Sequence, residues 1–269
     1  MWEKTEKDGL IYYSLPRWRE AGAKVVMSCR PGGESEAPFR GLNLGLHVED
    51  DPARVVANRR KFLAAIGGNE ADFVSVKQVH GKRILHAGKA YRGLGFACYG
   101  DAVDDTDGIF TEEKNVLMAT FYADCLPVAV FHPGKKILGL AHAGWKGTYQ
   151  NIASELIRAM GQGGELDPAE CWCALGAGIG SCCYEVDESF YLRFAERYPK
   201  AGQWFTKKDS GAIFFDNVKA NLTLLTEIGV KEENIDVLGL CTSCHNDLFF
   251  SYRKEHGKTG RHGLWGELI

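Results

Sequence analysis

Three side chains in this sequence have the chemistry to share one metal ion: His80, Cys125 and His142. Imidazole and thiolate are preferred zinc donors, and a set of three protein ligands leaves a fourth position open, which is the mark of a catalytic rather than a structural ion. Such an ion lowers the pKa of water at the open position toward neutrality. Cys125 and His142 lie in the run ADCLPVAVFHPGKKILGLAHAGW (123–145), where Pro133-Gly134 separates two apolar segments. A two-residue turn there pairs His132 with Lys135 and carries Cys125 opposite His142, with Cβ atoms roughly 4.5–5.5 Å apart. A register slip of one residue would send the two side chains to opposite faces. His80 follows an apolar run in KQVHG, so all three donors are expected at strand ends. Plainer readings stay open: an apolar-flanked cysteine also suits a core, and a lone histidine also suits a turn.

The elements that must position these residues are readable from periodicity. Asp51-Pro52 reads as an N-cap followed by proline at the first helical position, Val55, Phe62, Leu63 and Ile66 form one stripe, and Gly67 ends it. Residues 148–160 read as a second helix with Ile152, Leu156, Ile157 and Met160 inward. Asp216 caps a third, with Val218, Leu222 and Leu225 inward and Gly229 at the stop. Strands are expected at 73–76, 116–122, 126–131, 137–140, 171–175, 236–240 and 248–252. Two pairs lack an intervening helix, so the sheets cannot be wholly parallel, and an α+β layered architecture follows. Long loops are expected at 30–38 and 88–106.

The chain has 269 residues, 45% of them hydrophobic and 25% charged, with a net charge of −3, so no basic face points to nucleic acid. One domain over 1–269 is expected. No apolar run is long enough to span a membrane, and MWEKTEKDGL has no apolar signal core. The expected compartment is the cytoplasm, where nine cysteines point to metal, catalysis or burial rather than disulfides. Eight histidines without a His-x-His pair do not supply a trinuclear copper centre, which makes copper a poorer expectation than zinc.

The runs SCRPGG (28–33), FRGLNLG (39–45), NRR (58–60), KQVHG (77–81), ADCLPV (123–128), AHAGWKG (141–147), GAGIGSCCYEV (176–186), CTSC (241–244) and FFSYRKEHGKTGR (249–261) resemble the YfiH/YlmD-type family. That family carries an older multicopper polyphenol oxidase, or laccase-domain, label. It is described as zinc-dependent purine nucleoside phosphorylases that also deaminate adenosine. The resemblance spans nearly the whole chain. It implies an α/β/β/α sandwich with mixed sheets, similar to the catalytic domain of bacterial deamidase toxins. It implies zinc on His80, Cys125 and His142, and adenosine, inosine, guanosine and methylthioadenosine, with phosphate, as substrates. GAGIG stands where the family more often starts with Gly-Pro, a departure that bears on a turn and not on the metal.

Further residues admit functional roles beside structural ones. Arg59 falls on the apolar stripe of its helix, so it either meets an acid of the 101–107 loop or contacts substrate. Asn43, between glycines, suits an Asx turn or a nucleoside contact. Arg253 and Arg261 flank a glycine-containing loop and suit bidentate phosphate binding. Asp124 is expected to orient His80 and, with Cys125 and His142, to form the catalytic group. Cys241 and Cys244 form an isolated CxxC, expected to be dispensable for zinc and activity, for which Cys171 and Cys173 are the weighed partners in a four-thiolate site. Two rivals remain: a Cys125–His142 amidase editing cell-wall precursors, and a metal-binding protein without catalysis.

Overall fold

A computed structural model describes residues 1–162 and 166–269. Two six-stranded mixed sheets lie face to face. The first runs, in spatial order, Glu3–Lys7, Leu10–Ser14, Ala23–Ser28, His262–Leu268, Leu117–Tyr122 and Phe73–Ser75. The second runs Ile235–Val237, Trp172–Leu175, Leu126–His132, Ile137–Ala143, Gly108–Thr111 and Ile84–His86. Most pairs are antiparallel; Phe73–Ser75 with Leu117–Tyr122, Ile84–His86 with Gly108–Thr111, and Trp172–Leu175 with Ile235–Val237 are parallel.

The alternation along each strand builds the layers. Val25, Met27 and Met118 face Ala129, Phe131, Leu138 and Leu140 between the sheets. Val26, Leu117, Ala119 and Trp265, pointing the other way, pack on Phe62, Leu63 and Ile66 of helix Pro52–Ile66. Val128, Val130 and Ala141 of the second sheet are covered by Ile152 and Leu156 of helix Ile152–Met160 and by Leu225 of helix Asn217–Glu227. Helix, sheet, sheet, helix is the order the family resemblance implied.

Helix Pro52–Ile66 is capped as expected, with the Asp51 carboxylate accepting from Ala53 N and Gly67 at φ 66°. The helix expected over 148–160 is two, Trp145–Tyr149 and Ile152–Met160, parted where Asn151 takes φ 58°. Helix Asn217–Glu227 buries Asn217, Ala220, Asn221, Leu224 and Leu225, with Val218 and Leu222 only half-buried. Asn217 and Asn221 hydrogen-bond inward to Thr148, so two polar residues displace the apolar stripe that periodicity selects. No strand forms at 248–252, which is a series of turns; Phe249 and Phe250 are fully buried there, and apolarity alone had suggested extension. Helix Glu188–Arg197 and the strands at both chain ends went unread.

Candidate metal centre

The hairpin that carries two of the donors has a longer turn than expected. Residues 133–136 connect the strands, so His132 pairs with Ile137, Pro127 with His142 and Leu126 with Ala143. Pro-Gly does not favour the primed two-residue turns that match strand twist, and a four-residue connection relieves the mismatch. The register is therefore displaced by two residues. Because side chains alternate with a period of two, Cys125 and His142 keep a common face but stand diagonally rather than directly opposed.

His80, Cys125 and His142 meet at this edge with their donor atoms all within 4.8 Å of one another. His80 Nε2 lies 3.7 Å from Cys125 Sγ, and the two imidazole centroids are 4.7 Å apart. His80 reaches the cluster from the crossing between the two sheets at φ 62°, and Asp124, just before Cys125, sits at φ 82°. Left-handed backbone at non-glycine residues costs of order 1–3 kcal/mol each and persists only where the surroundings impose it. Gly144 makes room: a Cβ there would stand 2.8 Å from Cys125 Sγ and 2.9 Å from His80 Cδ2.

The group that imposes the His80 conformation is Asp107. Its fully buried carboxylate accepts from the backbone N–H of Val79 at 3.1 Å, His80 at 2.9 Å and Gly81 at 2.7 Å, and bonds His142 Nδ1 at 2.8 Å. Burial alone would push this carboxyl up, but the His142 contact and the backbone donors hold it below the usual range. Nδ1 being occupied, His142 presents Nε2 to the cluster. Burial raises the Cys125 thiol, yet His142 and His80 draw it down to about 6. Burial likewise lowers His142, and the Cys125 thiolate and Asp107 outweigh it, raising the imidazole to about 9. Without metal the two groups thus favour each other's charged forms, thiolate and imidazolium. With a cation in the gap, the same donor set of two imidazoles and one thiolate suits zinc.

The centre opens on a cavity of about 390 Å³ whose walls include Tyr99, Trp145, Tyr184 and Tyr252, with Arg253 and Arg261 also lining it. Other expected site residues lie differently. Asp124 does not orient His80; its carboxylate accepts from Thr242 Oγ1 at 2.6 Å and Arg253 N at 2.6 Å, although the residue does line the cavity. Arg59 meets no acid of the 101–107 loop. Its guanidinium, 1% exposed, donates to the carbonyls of Leu44, Gly95 and Phe96 and lies outside the cavity lining. Asn43 makes the Asx turn, its Oδ1 accepting from Gly45 N at 3.1 Å and from Arg261 N at 2.8 Å, so it holds Arg261 from behind. Cys173 is buried on strand Trp172–Leu175 and Cys171 just before it, and neither joins Cys241 and Cys244 in a group that could share an ion.

Gln78 was also missed: its amide bonds Phe121 N and O at 2.7 and 2.9 Å, pairing like a strand residue and anchoring the His80 crossing.

A family model described as "Multi-copper polyphenol oxidoreductase laccase" matches residues 24–265. The chain belongs to this family. The chain is also similar to a protein from Geobacillus stearothermophilus named purine nucleoside phosphorylase YlmD, 38% identical over 242 residues, covering 90% of this chain and 88% of that one. The Bacillus subtilis protein of the same name is 36% identical over 231 residues, covering 86% and 83%. Among solved structures, Bacillus licheniformis YfiH superposes with a TM-score of 0.92 at 33% identity, covering 98% of both chains. The family's copper-associated name sits beside a centre of two histidines and one cysteine. Among the described residues, the only other group of three or more metal-competent side chains within reach of one ion is made of cysteines. Among the described residues, no helix is long and apolar enough to cross a membrane.

Proposed function

We propose that the cavity is the active site of a zinc-dependent purine nucleoside phosphorylase, formed by one catalytic unit over the whole chain and working in the cytoplasm. The substrates are adenosine, inosine, guanosine and methylthioadenosine, and adenosine deamination occurs at the same site. The observation that carries this reading is the meeting of His80, Cys125 and His142 at the floor of an aromatic cavity that Arg253 and Arg261 also line. The relatives named purine nucleoside phosphorylase support the phosphorolytic part of it.

In phosphorolysis a phosphate oxygen forms a bond to C1′ as the C1′–N9 bond breaks, and the base leaves with a proton. The two guanidiniums suit the phosphate dianion. The aromatic walls suit the flat base and exclude water around it. Asp107 holds His142 in one tautomer and fixes the backbone of His80, so the donors keep their places as substrate arrives. Asp124 secures the backbone of Arg253 and the turn that presents Cys125. A zinc ion held by His80, Cys125 and His142 would supply Lewis acidity at the cavity floor.

The test is release of hypoxanthine and ribose 1-phosphate from inosine and phosphate, followed by chromatography with metal content. Activity that scales with zinc and is lost in Cys125→Ser and His142→Ala is expected. Zinc-loaded protein without nucleoside turnover would refute the reading. A second reading has its own support: the Cys125–His142 pair backed by Asp107 has the order of a nucleophile, base and orienting carboxylate. Amide hydrolysis that survives chelation would favour it.

A further inference from the structure

Cys182 and Cys183 on one loop meet Cys241 and Cys244 on another, with all four sulfurs within 4.8 Å of one another. Cys244 Sγ lies 3.5 Å from both Cys182 Sγ and Cys183 Sγ. Four sulfurs placed tetrahedrally about 2.3 Å from one ion stand about 3.8 Å from each other, so the spacing is that of a single tetrathiolate cation. Cys241 Sγ also accepts the backbone N–H of Gly180 at 3.2 Å, and the N–H groups of Ser243 and Cys244 point to the same sulfur. Such donors orient a thiolate ligand. Sequence spacing concealed the group, because the partner of the CxxC is the vicinal pair in GSCCYEV rather than Cys171 and Cys173.

We propose that Cys182, Cys183, Cys241 and Cys244 bind a second zinc ion, which is structural and braces one wall of the active-site cavity. Four protein thiolates leave no open position, so the ion has no place for substrate. Its brace reaches the cavity through short links. Gly178 pairs with Cys241, and Thr242 N donates to Gly178 O at 3.0 Å. Thr242 Oγ1 and Ile179 N bond Asp124, the residue before the ligand Cys125. Just beyond the vicinal cysteines, Tyr184 lines the cavity and Glu185 O accepts from the Arg253 guanidinium at 3.2 Å. Joining two loops whose nearest cysteines, Cys183 and Cys241, are 58 residues apart in the chain constrains the unfolded state as a cross-link does, and the binding energy adds to folding.

The experiment counts metal on the full chain, purified reduced from zinc-supplied medium without chelators. A His80→Ala/His142→Ala protein removes the first centre and should hold one zinc per chain, falling to none when Cys241→Ser/Cys244→Ser is added. In the otherwise native chain, Cys244→Ser alone changes an exposed side chain. It should lower zinc by one equivalent, melt at lower temperature and raise KM for phosphate more than it lowers kcat. Cobalt substitution in the two-histidine variant should give the intense thiolate charge-transfer absorption of four sulfurs. The proposal is overturned by a metal-free protein in the two-histidine background, by zinc retained after the cysteine replacements, by iron in place of zinc, or by an intact mass showing a disulfide among the four. Because the metal counts, the melting temperature, the cobalt spectrum and the intact mass do not use nucleoside turnover, they stand apart from the fate of the phosphorylase reading, on which only the KM measurement rests.

Discussion

Asp107→Asn is the most informative single change. The carboxylate serves four N–H groups with two oxygens: Oδ1 takes His80 N and His142 Nδ1, and Oδ2 takes Val79 N and Gly81 N. An amide has one oxygen. If it faces His142, the NH₂ opposes the N–H groups of Val79 and Gly81; if it turns, it opposes His142 and His80. Two donors lose their acceptor in either orientation, and the negative charge beside His142 is gone. Hydrogen bonds to charged groups contribute about 1.5–3 kcal/mol each, so a loss of about 3–5 kcal/mol is expected. For a chain of this size that is a fall in Tm of roughly 6–20 °C. Misplacing an outer-shell carboxylate costs about 10–100-fold in metal affinity. Circular dichroism melting and zinc competition against a chromophoric chelator measure both. A variant that melts within about 2 °C of wild type and holds zinc with unchanged affinity would refute the role given to Asp107.

Gly144→Ala keeps an ordinary backbone at φ −64° but drives a methyl against Cys125 and His80; zinc content should fall while the circular dichroism spectrum stays native. Arg59→Leu leaves the Leu44 and Phe96 carbonyls without their donor and that of Gly95 with Ser75 Oγ alone, so a loss of about 3–5 kcal/mol in urea unfolding is expected, with turnover per folded molecule unchanged. Arg253→Ala should raise KM for phosphate at least tenfold with a smaller change for nucleoside, read from initial rates. His262 is fully buried, its ring nitrogens have no hydrogen-bond partner among the described residues, and burial with Arg261 nearby lowers it to about 3. The unfolded chain therefore takes up this proton first. The His262 contribution is complete above about pH 6.5 and falls by about 1.4 kcal/mol per unit from there toward pH 3, roughly 2 kcal/mol by pH 5. His262→Phe should flatten that part of the urea-midpoint profile between pH 7 and 5.

What the sequence made legible depended on whether local rules and tertiary demands agreed. They agree at helix Pro52–Ile66, where cap, proline, stripe and terminal glycine all point one way. They agree well enough in the hairpin, because a displacement of two preserves side-chain parity, and Cys125 and His142 stay together although the turn length was misjudged. They disagree where buried polar residues take inward positions. Asn217 and Asn221 hold Thr148, and Arg59 ties loops by their carbonyls. Periodicity treats such positions as apolar or as unpaired charge, so it predicted the wrong stripe and a salt bridge that does not form. Asp107 was hidden for a different reason: it lies 27 residues after His80 and 35 before His142, and no short-range pattern links a carboxylate to partners at those separations.

The placement of strain explains why the centre needs both sheets. His80 lies on the crossing that leaves the first sheet for the second, and Cys125 and His142 lie on adjacent strands of the second. The crossing alone would relax from its left-handed backbone, since φ 62° is an uncommon conformation for any residue with a side chain, histidine included. Two polar anchors prevent this. Gln78 docks the crossing to Phe121 of the first sheet, and Asp107, one residue before a strand of the second, takes the next three backbone N–H groups. The His80 imidazole is thereby suspended between two rigid layers and aimed at Cys125. Because the same Asp107 carboxylate grips His142, movement of one sheet against the other would disturb two of the three donors together. The fold thus fixes the spacing of the donors before any ion arrives, and the strain at His80 and Asp124 is set against hydrogen bonds that only the assembled sandwich can make.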